Sequence, residues 1–257
     1  DYCTDLLPEW LGFVDGVVDS EDLPLNVSRE TVQNNRIMRH LAKTLRKRVL
    51  RELSRMASKD ADAYVAFWDE FGRTLKEGVA TDMEAKDDLL PLFRYASSNS
   101  AEALTSLDAY IERMQPEQEE IYYVQGDSAK TVANSPHLDP FKTRGLEVLY
   151  WVDPLDAFLT PMLTEYNGKK LRNVDDAGLE LPEVADESAE TDTPVIEETA
   201  FNLFVGRCTT ELGDRVIEVR ESKVLKGSPV RLVSPEDEMN REMQRIQRYL
   251  NQDFEVP

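Results

Sequence analysis

Two apolar runs flanking a helix-prone stretch constrain this chain more than any other feature. Residues 121–127 read IYYVQGD, an apolar run closed by a turn signal, and residues 146–153 read LEVLYWVD, apolar almost without a break. A strand with one wet face alternates in polarity, whereas a continuous apolar run fits burial on both faces. The residues between them, to about Lys142, carry a helical pattern interrupted at Pro136. PLDAFLTPML (154–163) then opens a further helix with Pro154 at its first position, where the missing N–H is not needed. This strand–helix–strand–helix order predicts a small α/β unit built on a parallel strand pair.

Upstream, the period changes. WLGFVDGVV (10–18) alternates loosely and predicts a strand. A helix of about residues 29–57 follows, with Ile37, Met38, Leu41, Leu45, Val49, Leu53 and Met56 spaced at threes and fours. Its outer face is basic, which fits either a solvated helix surface or an interdomain or partner surface. A second helix of about residues 60–76 carries Tyr64, Phe67, Trp68, Phe71 and Leu75 on one stripe, the pattern of core packing. A shorter helix is predicted over about 83–93, with Pro91 marking an early end.

Downstream, residues 175–199 hold ten acidic residues and no Lys or Arg, together with Pro182 and Pro194. Such a run repels itself and packs poorly, so most of it reads as a mobile linker. A helix of roughly 195–212, strands at 214–222 and 229–234, and a last helix capped by Ser234 complete the chain. Met239, Met243 and Ile246 share one side of that last helix.

Composition bounds the function classes. The chain has 257 residues, 41 % of them hydrophobic, enough for two or three cores of ordinary size. No apolar run approaches the roughly 20 residues that span a bilayer, so no membrane role is expected. A net charge of −20 repels phosphate backbones and argues against nucleic acid as a general partner. Cys3 and Cys208 match no metal-site spacing and read as free thiols of a reducing compartment. With only His40 and His137, no histidine-based metal site or triad is expected. The P-loop, GxGxxG, HExxH and GxSxG patterns are all missing from the sequence.

One charge is out of place. In LPLNVSRETVQNNRI (23–37), Arg29 stands at the start of the long helix, where the backbone dipole favours anions. Either its side chain swings into water, or Arg29 and the helix start together hold an anion such as a phosphate.

LLPEWLGFVDGVVDSEDLPLNVSRE followed by QNNRI resembles the middle domain of the heat-shock protein 90 chaperones. The similarity continues through LTSLDAYIERM, IYYVQGDS, SPHLDPFKTRGLEVLYWVDPLDAF and LTEYNGKKL, over about residues 6–172. The tail 195–257 is similar, less closely, to the first half of that family's C-terminal domain, and the overall likeness is to its bacterial members. The resemblance implies an α/β and α+β chain. Residues 1–118 would be the end of a large αβα middle subdomain and a helical connector, and 119–174 a small αβα subdomain. Residues 175–194 would be an acidic linker and 195–257 a partial mixed α/β C-terminal domain.

The resemblance also implies roles. The loop before the long helix would reach the nucleotide site of a preceding N-terminal ATPase domain, with Arg29 at the γ-phosphate of ATP held with Mg²⁺, Gln33 supporting the closed site and Asn26 shaping the loop. The chain alone would bind no cofactor, and it is expected to be a piece of a longer, cytoplasmic protein that dimerises through further C-terminal helices. Non-native client proteins would meet Phe158 and the stripe of Met239, Met243 and Ile246. Phe158 stands where bacterial members often carry Trp, Ala157 and Pro161 replace polar neighbours, and Gln247 stands where an aromatic is common. The Met stripe fits a client surface or ordinary core. A scaffold of the same fold without hydrolysis coupling is the alternative. An unrelated α/β hydrolase would need a pocket with convergent perturbed acids.

Overall fold

The side-chain alternation of two neighbouring strands organises the structure. The computed structural model describes residues 6–19, 36–100, 103–176, 179, 181, 197–222 and 230–233. Strands β1 (Ala96–Ser97), β2 (Glu120–Gln125), β3 (Leu149–Trp151), β4 (Glu165–Tyr166) and β5 (Lys169–Asn173) form one sheet in the order β1-β3-β2-β5-β4. The predicted pair β2 and β3 is parallel, with Tyr123 opposite Leu149 and Gln125 opposite Trp151. β5 adds parallel to the other side of β2, while β1 and β4 close the edges antiparallel.

Because successive strand residues point to opposite faces, β2 and β3 feed two cores. Ile121, Tyr123, Leu149 and Trp151 join a core shared with the helices upstream. Tyr122, Val124, Val148 and Tyr150 join a second core with Val132, Leu138 and Phe141. Those last residues come from α5 (Ala129–Ala133), a 3₁₀ turn at Pro136–Leu138 and α6 (Asp139–Thr143), the interrupted helix that the sequence predicts. The architecture is therefore mixed α/β, with helices on both faces of a five-stranded mixed sheet.

The helical layer on the first face begins with α1 (Arg36–Lys59) and α2 (Ala61–Thr81). They are joined through Asp60, whose carboxylate accepts the Ala63 N–H at 3.1 Å and caps α2. Arg46 of α1 ties back to Asp82 beyond α2 at 3.0 Å. The basic stripe of α1 is exposed at Arg39, Lys43, Lys47, Arg51 and Arg55, while Met38, Leu50 and Leu53 are buried beneath it. α2 runs past the predicted end at 76, because Gly78 and Val79 still face the core. α4 (Leu107–Arg113) carries Tyr110 against the sheet. Its hydroxyl donates to the Glu147 carbonyl at 2.7 Å and accepts the Tyr122 N–H at 3.0 Å.

Several predictions fail for physical reasons. The strand expected at 10–18 does not form. Residues Glu9–Leu11 make a 3₁₀ turn, and Trp10 and Leu11 are buried against α2, where Gly78 leaves room for the indole. Alternation alone does not make a strand without a partner edge, and none lies beside this segment among the described residues. The helix expected at 83–93 shrinks to α3 (Lys86–Leu89) and a 3₁₀ turn at Leu90–Leu92 around Pro91. After α8 (Glu198–Leu212), residues Gly213–Arg215 make another 3₁₀ turn, and neither 216–222 nor 230–233 is in a strand. The structure describes α1 from Arg36, so the predicted start near residue 29 lies outside the described residues, as does the helix predicted after Ser234. Asp175 and Asp176, at the head of the acidic run, are buried, and Leu179 belongs to the second core.

The helix glycines Gly78 and Gly206 separate packing from propensity. A Cβ at Gly78 would lie 2.9 Å from Leu89 and from the Trp10 ring, whereas one at Gly206 meets nothing within 4 Å. Ala at Gly206 is expected to stabilise α8 by up to about 1 kcal/mol. Ala at Gly78 is expected to lower stability by about 1–2 kcal/mol despite the same propensity gain, because overpacking outweighs it. Urea unfolding of the two variants measures both signs.

Candidate functional site

Of the residues expected to act, Phe158 is within the described residues. Asn26, Arg29, Gln33, Met239, Met243 and Ile246 lie outside them, and the geometry around them is not described.

Phe158 sits on α7 (Pro154–Leu159), a helix whose ends are set by its own sequence. Asp153 caps it by accepting the Leu155 N–H at 2.9 Å, and the Asp156 carboxylate reaches back to the Asp153 N–H at 3.2 Å. Together they form a capping box, with Pro154 at the first helical position. The inward side of α7 presents Asp156 and Leu159, both buried. Leu155 and Phe158, three residues apart and hence neighbours on the helix surface, are half-buried on the other side. Among the described residues, neither is part of the two cores. Met162, also half-buried, follows one turn later, and its carbonyl accepts a hydrogen bond from Lys86 of α3.

Beneath α7 is a charged cluster that no motif announces. Lys76 of α2 is 5 % exposed, and its ammonium lies 2.7 Å from Asp156 Oδ1 and 3.5 Å from Asp153 Oδ2. The same nitrogen lies 5.3 Å from the centroid of the Tyr95 ring and 6.0 Å from that of Trp68. Tyr95 stacks on Trp151, and Trp151 on Tyr123 of β2 at 4.0 Å. Thr160 donates to the Asp156 carbonyl at 3.0 Å and accepts from Gln125 of β2 at 2.8 Å. The cluster thus joins α2, the sheet and α7.

Burial pushes the Asp156 carboxyl up to about 6, and the neighbouring charge of Asp153 adds to this. The attraction and hydrogen bond of Lys76 pull the other way without cancelling it. Burial likewise holds the Tyr95 hydroxyl well above its ordinary value, with Asp156 and Asp153 contributing. A perturbed acid beside a lysine is a common mark of catalysis. Here Asp156 is 2 % exposed, so no substrate atom reaches it, and the cluster is an internal linkage between elements. The sequence predicts Lys76 at the end of a helix. Its position four residues after Gly72 and eight after Trp68 puts it on the apolar stripe of α2, and a lysine there was the available signal.

The pH consequence follows from the sign of the shift. An acid whose value rises on folding contributes stability fully present below its ordinary value and lost as pH rises through the folded value. For Asp156 that window runs from 3.8 to about 6. Asp156→Asn, which keeps an oxygen for the Asp153 N–H, is expected to flatten stability over this window. The slope removed amounts to on the order of 2–3 kcal/mol across it, measurable by chemical unfolding at stepped pH.

Comparison with known proteins agrees with the likeness seen in the sequence. The model of the Hsp90 protein family matches residues 1–253. The chain is 43 % identical over 251 residues to chaperone protein HtpG of Wolbachia pipientis, a match that covers 95 % of the chain and 39 % of the relative. Against HtpG of Vibrio campbellii it is 41 % identical over 248 residues, and against HtpG of Vibrio cholerae 42 % over 248 residues. The chain therefore spans about two fifths of the length of these curated relatives. A match of this extent and identity, to bacterial chaperones throughout, makes the chain a member of the Hsp90 family.

Proposed function

We propose that this chain is the middle segment and first part of the C-terminal domain of an ATP-dependent molecular chaperone. The observation that carries the reading is the family match over residues 1–253, with relatives that bear the name chaperone. On this reading the small αβα subdomain is the unit built on β2, β3 and β5, the helices before it are the connector, and an acidic linker leads to the C-terminal part. The full-length protein would be a cytoplasmic homodimer.

The proposed chemistry is an arginine lent between domains. Phosphoryl transfer asks little covalent chemistry of a protein and much positive charge held where negative charge accumulates. Arg29 supplies that charge to the γ-phosphate of ATP·Mg²⁺ in the N-terminal domain, while Gln33 and Asn26 keep its loop in shape. Hydrolysis then depends on domain docking. Arg29→Ala in the full-length protein is expected to lower the steady-state ATPase rate at least tenfold, with ATP affinity unchanged in equilibrium titration. An unchanged rate would favour the scaffold reading.

The second proposed role is client contact at α7 and at the Met239, Met243 and Ile246 stripe. The half-buried Leu155 and Phe158, neighbours on one side of α7 and outside both cores, support it. Unbranched Met side chains adapt to many sequences. Phe158→Ser is expected to weaken capture of a destabilised model client by about 1–2 kcal/mol, read by fluorescence anisotropy, while thermal stability changes little.

A further inference from the structure

We propose that Lys76 is the positioning residue of α7: from the neighbouring helix α2 it neutralises the carboxylates at the head of α7 and so keeps the Leu155–Phe158 surface docked and in register. The part that concerns clients rests on the reading above; the clamp itself does not.

The geometry is specific. The ammonium meets two carboxylates that already have another task, capping α7 through the N–H groups of Leu155 and Asp153. One lysine therefore acts on both oxygen sets that define where α7 starts. Each element around it contributes a titratable or aromatic group: Asp153 and Asp156 from α7, Tyr95 from the segment before β1, and Trp68 and Lys76 itself from α2. A buried carboxylate without a counter-charge is unfavourable. With Lys76 removed, α7 escapes that burden by swinging away and hydrating Asp156. Protonating Asp156 removes the burden too, so α7 should dock again in acid even without the lysine.

Hydrogen exchange on this chain tests the idea. In Lys76→Met at pH 7.5, the amides of residues 155–160 are expected to exchange at least tenfold faster than in the unmodified chain, while those of 120–125 in β2 hold their rates. After correction for intrinsic exchange, the difference is expected to vanish at pH 5. It is also expected to vanish at pH 7.5 when Asp156→Asn is added to Lys76→Met. Equal loosening at both pH values, or equal loosening of α7 and β2, would mean that Lys76 only fills space and would overturn the proposal. Should Lys76→Met fail to fold at pH 7.5, folding at pH 5 is the expected result, and failure at both overturns it. If α7 loosens as described and client capture by Phe158→Ser matches the unmodified chain, the clamp stands and the client role of α7 falls.

Discussion

Burial of the parallel pair β2–β3 on both faces is the constraint from which the rest of the structure follows. Strands in this position leave no wet face, so a helical layer must cover each side. The alternation Ile121–Tyr122–Tyr123–Val124 assigns its residues in turn to the two cores. Large aromatics do this work: Tyr123, Trp151 and Tyr95 form a stack on one face, and Tyr122 meets Phe141 edge-on on the other. Buried aromatics bring polar tips inside, and while the Tyr95 hydroxyl and the Trp151 indole N–H have no hydrogen-bond partner among the described residues, other tips are satisfied. The Tyr110 hydroxyl achieves this at the junction of α4, β2 and the segment before β3, where it also accepts from Gln118 at 3.0 Å.

The polar links inside this shell are long-range in sequence. Arg113 of α4 holds Glu147 with two nitrogens at 2.9 and 3.1 Å. Tyr166 of β4 donates to Asp108 at 2.8 Å, and Lys76 reaches Asp153 and Asp156. Buried ion pairs add little net stability, since desolvation offsets most of the attraction. Their effect is on arrangement, because a carboxylate enclosed in the interior tolerates one geometry and penalises its neighbours. The upstream helices and the sheet share one apolar core, and a few charge contacts add to its arrangement.

This explains which features were legible in the sequence. β2, β3, the start of α7 and the Pro136 interruption match the sequence because their signals are local: a run of apolar residues, a proline at a helix start, a proline inside a helical pattern; α7 ends at Leu159, short of the expected 163. The strand expected at 10–18 fails because alternation gives polarity but no partner, and Trp10 finds a better place against Gly78. The hairpin of β4 and β5 went unread although its turn is marked: Asn167 and Gly168 both have positive φ, at 49° and 77°, the geometry an Asn-Gly pair favours. What hid it is its short, polar strands, whose burial comes from β2 and not from their own composition. Lys76 was hidden in the same way, since a single lysine on an apolar stripe has meaning only when the opposing carboxylates, about eighty residues later, are known. Arg29 is singled out in the sequence by its charge at an expected helix start and the Met stripe by its spacing; their expected roles come from the family likeness, and both lie outside the described residues.

The charge pattern links the two ends of the proposed mechanism. The chain carries −20 overall, yet α1 bears nine Lys and Arg against the single acid Glu52. Exposed cations four residues apart on a helix repel one another, and Glu52 relieves its neighbours, pairing with Arg48 and Arg55. The buried row of Met38, Leu50 and Leu53 keeps the helix in place against that repulsion. No acid stands in the first described turn of α1 to oppose the dipole, and Arg36 and Arg39 reinforce it. A positive field of this kind, on the longest helix among the described residues of an otherwise acidic chain, attracts anions. Under the proposed function, the charge of Arg29, seven residues before Arg36 in the sequence, adds to this field.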